Sequence, residues 1–456
     1  MTETTIHKKT PVKAAIASWI GTALEYYDFA VYGTASALVL NVLFFSPELS
    51  PGIRVVLSMA TLAVGYVVRP VGALILGPLA DRHGRKFVMM ITLFGIGGCT
   101  FLIGCLPTFS QVGVLAPILL VTIRIIQGLC LSGEQGSSIT MSLEHAPERR
   151  RAFTTSFTTL GSGTGGLLAT VVFLGVSSLP EEQLLGWAWR IPFWLSAVVV
   201  VAAYIIRRKL EEPPAFIESS EVEVSISPLS QAVRFHWFSI VRVAGCALIA
   251  GTSYIMQTFS VAFATGGFKL DKPTFLLVQA GASVVGLLTL PVFGLLGDRI
   301  GRKPMFLIGA VGAGVTMFPY FWSITVGSWT LIFVFAVLNL SVCYMMANAV
   351  WPAFFAEMFP TRVRASGLTV GTQIGFAISG GVAPVLSAAL AGADLTAWHG
   401  PAILAVVFAA IAAGLALTGK ETVKYTLEEL DDVQQSDQEK ATSAAATVSP
   451  RAMPTA

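Results

Sequence analysis

The sequence predicts an all-α membrane protein of twelve transmembrane helices arranged as two pseudo-symmetric six-helix bundles. Four observations predict it. Hydrophobic residues make up 54% of the 456 positions and charged residues only 12%, against roughly 25% charged in a soluble protein. The apolar residues fall in blocks of about 20 or more, enough at about 1.5 Å per residue to cross about 30 Å of hydrocarbon. Lys and Arg gather in alternate connections between the blocks, the pattern that sets orientation in a bilayer. Finally, Gly77-Pro-Leu-Ala-Asp81-Arg82-His-Gly84-Arg85-Lys86 returns as Gly294-Leu-Leu-Gly-Asp298-Arg299-Ile-Gly301-Arg302-Lys303, every matched pair 217 residues apart, as expected of two parallel halves.

The spans are predicted near 14–42, 53–80, 87–106, 113–143, 152–178, 187–208, 238–265, 273–297, 304–323, 328–357, 363–391 and 398–418. The first block runs on too long, without a small-residue cleavage site, to be a removed signal. Basic residues at Arg82/Arg85/Lys86, Arg149/Arg150/Arg151, Arg207/Arg208/Lys209, Arg299/Arg302/Lys303 and Arg362/Arg364, with Lys8/Lys9/Lys13 before and Lys420/Lys424 after, place both termini in the cytoplasm. The predicted division is a cytoplasmic N-terminus (1–13), an N-terminal bundle (14–208), a polar linker (209–237), a C-terminal bundle (238–418) and a tail (419–456) that is disordered apart from a short helix starting at Thr426.

A net charge of +3, spread over several loops, excludes a nucleic-acid surface. Cys99, Cys105, Cys130, Cys246 and Cys343 lie in apolar blocks without ligand spacing, so no metal site is expected. The histidines sit at span edges and in loops, leaving none at mid-membrane to carry protons. The run Gly161-Ser-Gly163-Thr-Gly165-Gly166 lacks the Lys-Ser/Thr ending of a phosphate loop and lies inside an apolar helix, which points to close helix packing.

The repeated Gly-x-x-x-Asp-Arg-x-Gly-Arg-Lys run resembles the signature loop of the major facilitator superfamily, between spans two and three and again between eight and nine. A carboxylate at a helix end, paired with arginines of a tight glycine turn, makes a latch. Asp81, Arg82, Arg85, Asp298, Arg299 and Arg302 are thus the gating candidates; the alternative is a static turn obeying the positive-inside rule. Arg124-Ile-Ile-Gln127-Gly128 resembles a second superfamily motif associated with proton coupling. Gly21-Thr-Ala-Leu-Glu25-Tyr-Tyr-Asp28-Phe29, Val68-Arg69-Pro70-Val-Gly72, Ser132-Gly133-Glu134, Trp187-Ala-Trp189-Arg190-Ile-Pro192-Phe193, Leu210-Glu211-Glu212-Pro213-Pro214-Ala-Phe216 and Glu357-Met-Phe-Pro360-Thr-Arg362-Val-Arg364 resemble the metabolite:proton symporter family. Ser132 and Ala188 depart from its pattern, where glycine is usual.

Ionisable side chains at mid-span cost a few kcal/mol each to insert, so they mark function. Five are expected there: Glu25, Asp28, Arg69, Arg124 and Glu134. Helix rise puts Glu25, Glu134 and Arg69 about 14 to 16 Å from the cytoplasmic ends, Asp28 near about 21 Å and Arg124 near about 28 Å. Arg69 is therefore expected close to Glu134 or Glu25, and Arg124 nearer Asp28 and the substrate. Glu25 or Asp28 carries the proton in this reading, Glu134 and Arg124 contribute to coupling, and Arg69 or Arg124 holds a substrate carboxylate. The other reading of the same charges is a permanent ion-pair network that only fixes packing. In the C-terminal half, Tyr254 and Gln257 (i, i+3) and Tyr344, Asn348 and Trp351 (i, i+4, i+7) share helix faces. With Tyr32, the residues Tyr254, Gln257 and Asn348 complete the substrate-binding candidates, although such stripes also serve as interhelical hydrogen bonds.

The resemblance implies a multi-pass carrier of the cell (inner) membrane that moves a carboxylate or zwitterion with protons by alternating access. The proton is its coupling ion; no other cofactor, no metal and no nucleic-acid partner is expected. Its substrates would be dicarboxylates, oxo acids, shikimate-like or aromatic acids, proline or betaine. Three rivals differ in sequence: a drug:proton exporter would show Gly-Pro in the span-five glycine run, an osmosensing carrier a heptad tail, and a non-transporting receptor decayed charges. No nucleophile and base set suggests an enzyme.

Overall fold

The computed structural model describes residues 11–72, 75–76, 79, 85–131, 134–208 and 228–432; Asp81, Arg82 and the side chains of Glu25, Arg85 and Glu134 lie outside the described residues. The described chain forms long helices and no strand. We label them α1 (11–43), α2 (Pro51–Gly72), α3 (Arg85–Cys105), α4 (Leu115–Cys130 continued by Glu134–His145), α5 (Arg151–Ser177), α6 (188–208), α7 (Trp237–Gly267), α8 (Lys272–Ile300), α9 (Arg302–Val326), α10 (Trp329–Ala356), α11 (Thr361–Leu390) and α12 (His399–Leu417). Eight of these, α2, α5 and α7–α12, are long and apolar enough to cross a membrane.

Local chemistry sets the helix ends. Pro51 opens α2 behind Ser50, whose hydroxyl accepts from the Ile53 N–H, and Asp271 caps α8 by accepting from the Thr274 N–H at 2.9 Å, each satisfying a donor that the first helical turn leaves open. Between α8 and α9 the chain reverses at Gly301, whose φ of +122° a side chain would oppose. The predicted linker contains a short helix, Pro228–Phe235, outside α7.

Packing explains the glycine run of α5. A Cβ on Gly161 would lie 2.4 Å from the Trp19 carbonyl oxygen, and one on Gly165 2.4 Å from that of Ala23, so α5 meets the backbone of α1 directly. Gly163 instead faces Leu287 of α8. Five segments are wound as π-helix, with one residue more per turn than their surroundings: 36–40 in α1, 255–259 and 263–267 in α7, 337–344 in α10 and 377–382 in α11. Wider turns of this kind rotate the faces that follow and are frequent at functional sites.

Candidate functional site

A cavity of about 140 Å³ lies midway along the helices. Tyr26 and Phe29 of α1, Tyr66 of α2 and Thr159 of α5 line one side; Tyr254 and Gln257 of α7 and Asn348 and Trp351 of α10 line the other. Among the described residues its lining holds no charged side chain. Polar groups on the α7 and α10 side are held by neighbours. Gln257 Nε2 donates to Ser253 Oγ at 2.5 Å, and Trp351 Nε1 donates to Asn348 Oδ1 at 3.0 Å. The Tyr66 and Tyr254 rings meet edge to face, 5.5 Å apart, joining the two halves at the cavity wall.

Two arginines stand behind that wall. The Arg69 guanidinium lies 4.2 Å from the centres of both the Phe29 and Tyr66 rings and is 3% exposed. Arg124, fully buried, lies 3.9 Å from the centre of the Tyr32 ring and 5.0 Å from that of Phe29. Cation–π contacts with desolvated rings are worth about 2 kcal/mol. The Tyr32 hydroxyl is 2.5 Å from Thr61 Oγ1. Asp28 is buried on α1 against α3, its Oδ2 3.8 Å from where a Gly97 Cβ would stand.

The two halves meet at both ends of the bundle. On the face where the described chain begins and ends, the terminal face, Asp298 of α8 accepts the first N–H groups of α5, those of Ala152 and Phe153, both at 2.9 Å. A carboxylate there answers the positive end of the α5 dipole. Arg302 reaches back to Asp298 at 3.2 Å and binds Glu357 at the end of α10. Glu357 in turn holds Arg151 of α5 at 2.9 Å. All four side chains are buried, and two carboxylates balance two guanidinium groups, which a buried set of charges requires. At the opposite face the closure is mostly backbone: Gly52 N–H donates to the Ala393 carbonyl at 2.9 Å, and a Cβ on Gly52 would come within 2.5 Å of the Gly392 oxygen. An exposed ion pair, Lys272 to Glu181 at 3.0 Å, stands at that rim.

Tyr254, Gln257 and Asn348 thus line the cavity as their faces predict, whereas Tyr32, Arg69 and Arg124 do not. Their place behind the wall has a physical cause: the aromatic faces of Phe29, Tyr66 and Tyr32 hold both guanidinium groups one layer back. Both flank the ring of Phe29, with Arg124 farther from the terminal face, at the Leu62 carbonyl two turns before Arg69 on α2. Glu25 and Glu134, expected beside Arg69, lie outside the described side chains, as does the first copy of the latch with Asp81, Arg82 and Arg85. In the second copy, Asp298 crosses between the halves, Arg302 binds Glu357 of its own half, and Arg299 is exposed.

Sequence reasoning missed Arg151 and Glu357 as partners. Glu357 closes α10 next to Pro360 in a quoted motif, but a search for mid-span charges passes over helix ends. It also missed the tail. Residues 420–432, expected to be disordered apart from the Thr426 helix, pack against the latch because they satisfy it. Glu421 accepts from the Arg302 and Lys303 N–H groups at 3.1 and 3.0 Å, Thr422 Oγ1 donates to Glu357 at 2.5 Å, the Tyr425 carbonyl binds Arg151, and Asp431 reaches Arg364 at 3.4 Å. Thr426 and Glu429 form the reciprocal cap that the sequence suggests, with 2.8 and 3.2 Å bonds.

Comparison with known proteins supplies the lineage. Residues 13–225 match the family described as "Sugar (and other) transporter" and residues 243–450 the one described as "Major Facilitator Superfamily". The chain is 35% identical over 417 residues to the shikimate transporter of Escherichia coli (strain K12), covering 90% of this chain and 94% of that protein. It is 30% identical over 429 residues to the proline/betaine transporter of Salmonella typhimurium (strain LT2), covering 91% and 85%. Its fold matches a structure of the proton:xylose symporter XylE bound to 6-bromo-6-deoxy-D-glucose with a TM-score of 0.70 at 20% identity, covering 93% of this chain and 99% of that one.

Proposed function

Because this chain belongs to the metabolite:proton symporter family of the major facilitator superfamily, we propose that it takes up a small organic acid together with protons, the terminal face being cytoplasmic. The bundles 14–208 and 238–418 rock about the cavity, which opens alternately to either side. Asp28, with Glu25 and Glu134, carries or relays the proton, and a carboxyl group in such a low-dielectric place changes its proton occupancy as exposure changes. Tyr254, Gln257 and Asn348 bind the polar body of the solute. Its carboxylate is answered by Arg69 and Arg124 once Phe29 and Tyr66 swing aside. Asp298 and Arg302 hold the inner gate.

The observation that carries this reading is the pair of buried guanidinium groups set one aromatic layer behind a cavity whose described lining is uncharged. Purified protein in proteoliposomes, given an inwardly directed proton gradient and radiolabelled shikimate, aliphatic dicarboxylates, oxo acids, proline, betaine or xylose, tests it. Accumulation of a carboxylate above its gradient, abolished by a protonophore, is the expected result; accumulation of none of them defeats the reading.

One observation favours a second substrate class. An uncharged lining with Tyr26, Tyr66, Tyr254 and Trp351 also suits a quaternary or secondary ammonium held by aromatic faces. Accumulation of betaine or proline in preference to the acids would select it.

A further inference from the structure

Arg124 is gripped more completely than a packing residue requires. Its Nη1 donates to Gln127 Oε1 at 2.6 Å, one helical turn on, and Gln127 Nε2 donates to Thr100 Oγ1 of α3 at 2.8 Å. Thr100 spends its only hydroxyl hydrogen on the Ile96 carbonyl of its own helix, at 3.0 Å. It therefore meets Gln127 as an acceptor, which forces the amide nitrogen toward α3 and the amide oxygen toward the guanidinium. A flipped amide would set two acceptors face to face at one end and two donors at the other. All three side chains are fully buried, so each misplaced group would also lack water.

The other side of the guanidinium is fixed by shape. A Cβ on Gly65 would lie 2.5 Å from Arg124 Nη2, and a Cβ on Gly128 2.5 Å from the Gly65 carbonyl oxygen, so α2 and α4 meet at two glycines that leave a slot of guanidinium thickness. Nη2 is 3.4 Å from the Leu62 carbonyl, and the Tyr32 ring closes the slot. Asp28 lies one turn from Tyr32 on the same face of α1, a separation of about 6 Å between Cβ atoms.

We propose that Thr100 and Gln127 are positioning residues of the proton-coupling centre: the one-way relay from the Ile96 carbonyl through Thr100 and Gln127 holds the Arg124 charge against Tyr32, and so ties proton uptake to solute movement. This rests on the symport reading. Neither residue touches the solute; both act through Arg124.

Two measurements decide it. The first needs no solute: in protein labelled with nitrogen-15 arginine, the Arg124 Nη signals, assigned by their loss in Arg124→Lys, are expected to be separate in the parent and in Thr100→Ser, and averaged by rotation in Thr100→Val and Gln127→Leu. The second takes whichever labelled solute the parent accumulates in the panel above. Its ratio of uphill accumulation to exchange is expected to fall at least about tenfold in Thr100→Val, the scale of leaving one buried donor, the Gln127 amide, without its acceptor, with recovery in Thr100→Ser. Separate Nη signals in Thr100→Val, or an unchanged ratio there, overturns the proposal. If the parent accumulates nothing, the symport reading has failed, and the resonance measurement alone decides whether the relay holds Arg124.

Discussion

Glu357 at the end of α10 and Arg151 at the start of α5 face each other across the two halves at 2.9 Å, each shut away from water. The same carboxylate also takes Arg302 and the Thr422 hydroxyl, so three elements of the closed terminal face converge on one side chain.

Glu357→Gln leaves two buried guanidinium groups short of a negative partner. Removing one member of a buried pair costs about 3–5 kcal/mol. The closed terminal face is therefore expected to lose population, read as faster alkylation of a single cysteine placed in the cavity at Ser283. Unchanged alkylation would mean that Glu357 does not hold the gate.

Asp298→Asn tests the helix-end contact. An amide offers one acceptor where the carboxylate offers two to Ala152 and Phe153, and it loses the charge that answers the α5 dipole, a change of about 1–2 kcal/mol; Arg302 loses one negative neighbour but keeps Glu357. A smaller shift in the same alkylation assay is expected, with the melting temperature nearly held. A shift as large as that of Glu357→Gln would contradict this ordering.

At the opposite face, Gly52→Ala inserts a methyl group 2.5 Å from the Gly392 oxygen and 2.7 Å from that of Ala393. That closure cannot then form as it stands. Labelling of the cavity cysteine from the side away from the termini is expected to rise, and spectra of spin labels on α2 and α11 to report a wider separation. Parent-like distances would show that the backbone yields instead.

Asp28→Asn removes a titratable proton without altering size. Uphill accumulation is expected to vanish, while the protein keeps its melting temperature within about 2 °C, because a near-isosteric change at one site leaves the packing in place. Normal accumulation would rule out Asp28 as the carrier of the proton.

Asp271 offers a pH test outside the membrane. The Thr274 hydroxyl and backbone N–H hold its carboxyl below the usual range. A depressed folded value means that the cap is fully present above the unfolded carboxylate range and is lost as pH falls through the folded value. Amide exchange at the start of α8 is expected to speed up only at acid pH, and to be already fast and insensitive to pH in Asp271→Ala. Acceleration on raising the pH would reverse the sign.

The sequence disclosed helices and heights well. Each predicted span overlaps an observed helix, and Tyr254, Gln257 and Asn348 face the cavity as their spacing suggests. Direction around the helix axis was far less legible. The π-helical turns at 36–40, 255–259 and 337–344 each add a residue to a turn, so faces counted at regular spacing drift after them. Nor does rise per residue say what a guanidinium will choose as neighbour. Arg69 lies between the rings of Phe29 and Tyr66, a preference written in two different helices. Glu357 and Arg151 are 206 positions apart in sequence and both stand at helix ends, where positive charge follows from topology and hides pairing.

The contrast between an ionic lock at one end and a peptide bond contact at the other gives the carrier two unlike responses to electrolyte. While closed, the buried charges are sheltered from dissolved ions; once parted, they stand in water, where a Debye length of about 8 Å at physiological ionic strength weakens their pull on one another. Added salt on that side therefore slows reclosure without prying the lock apart. The Gly52 contact has no formal charge for ions to screen, and the exposed Lys272–Glu181 pair beside it contributes at most about 1 kcal/mol, so brine on its side changes its shutting rate far less.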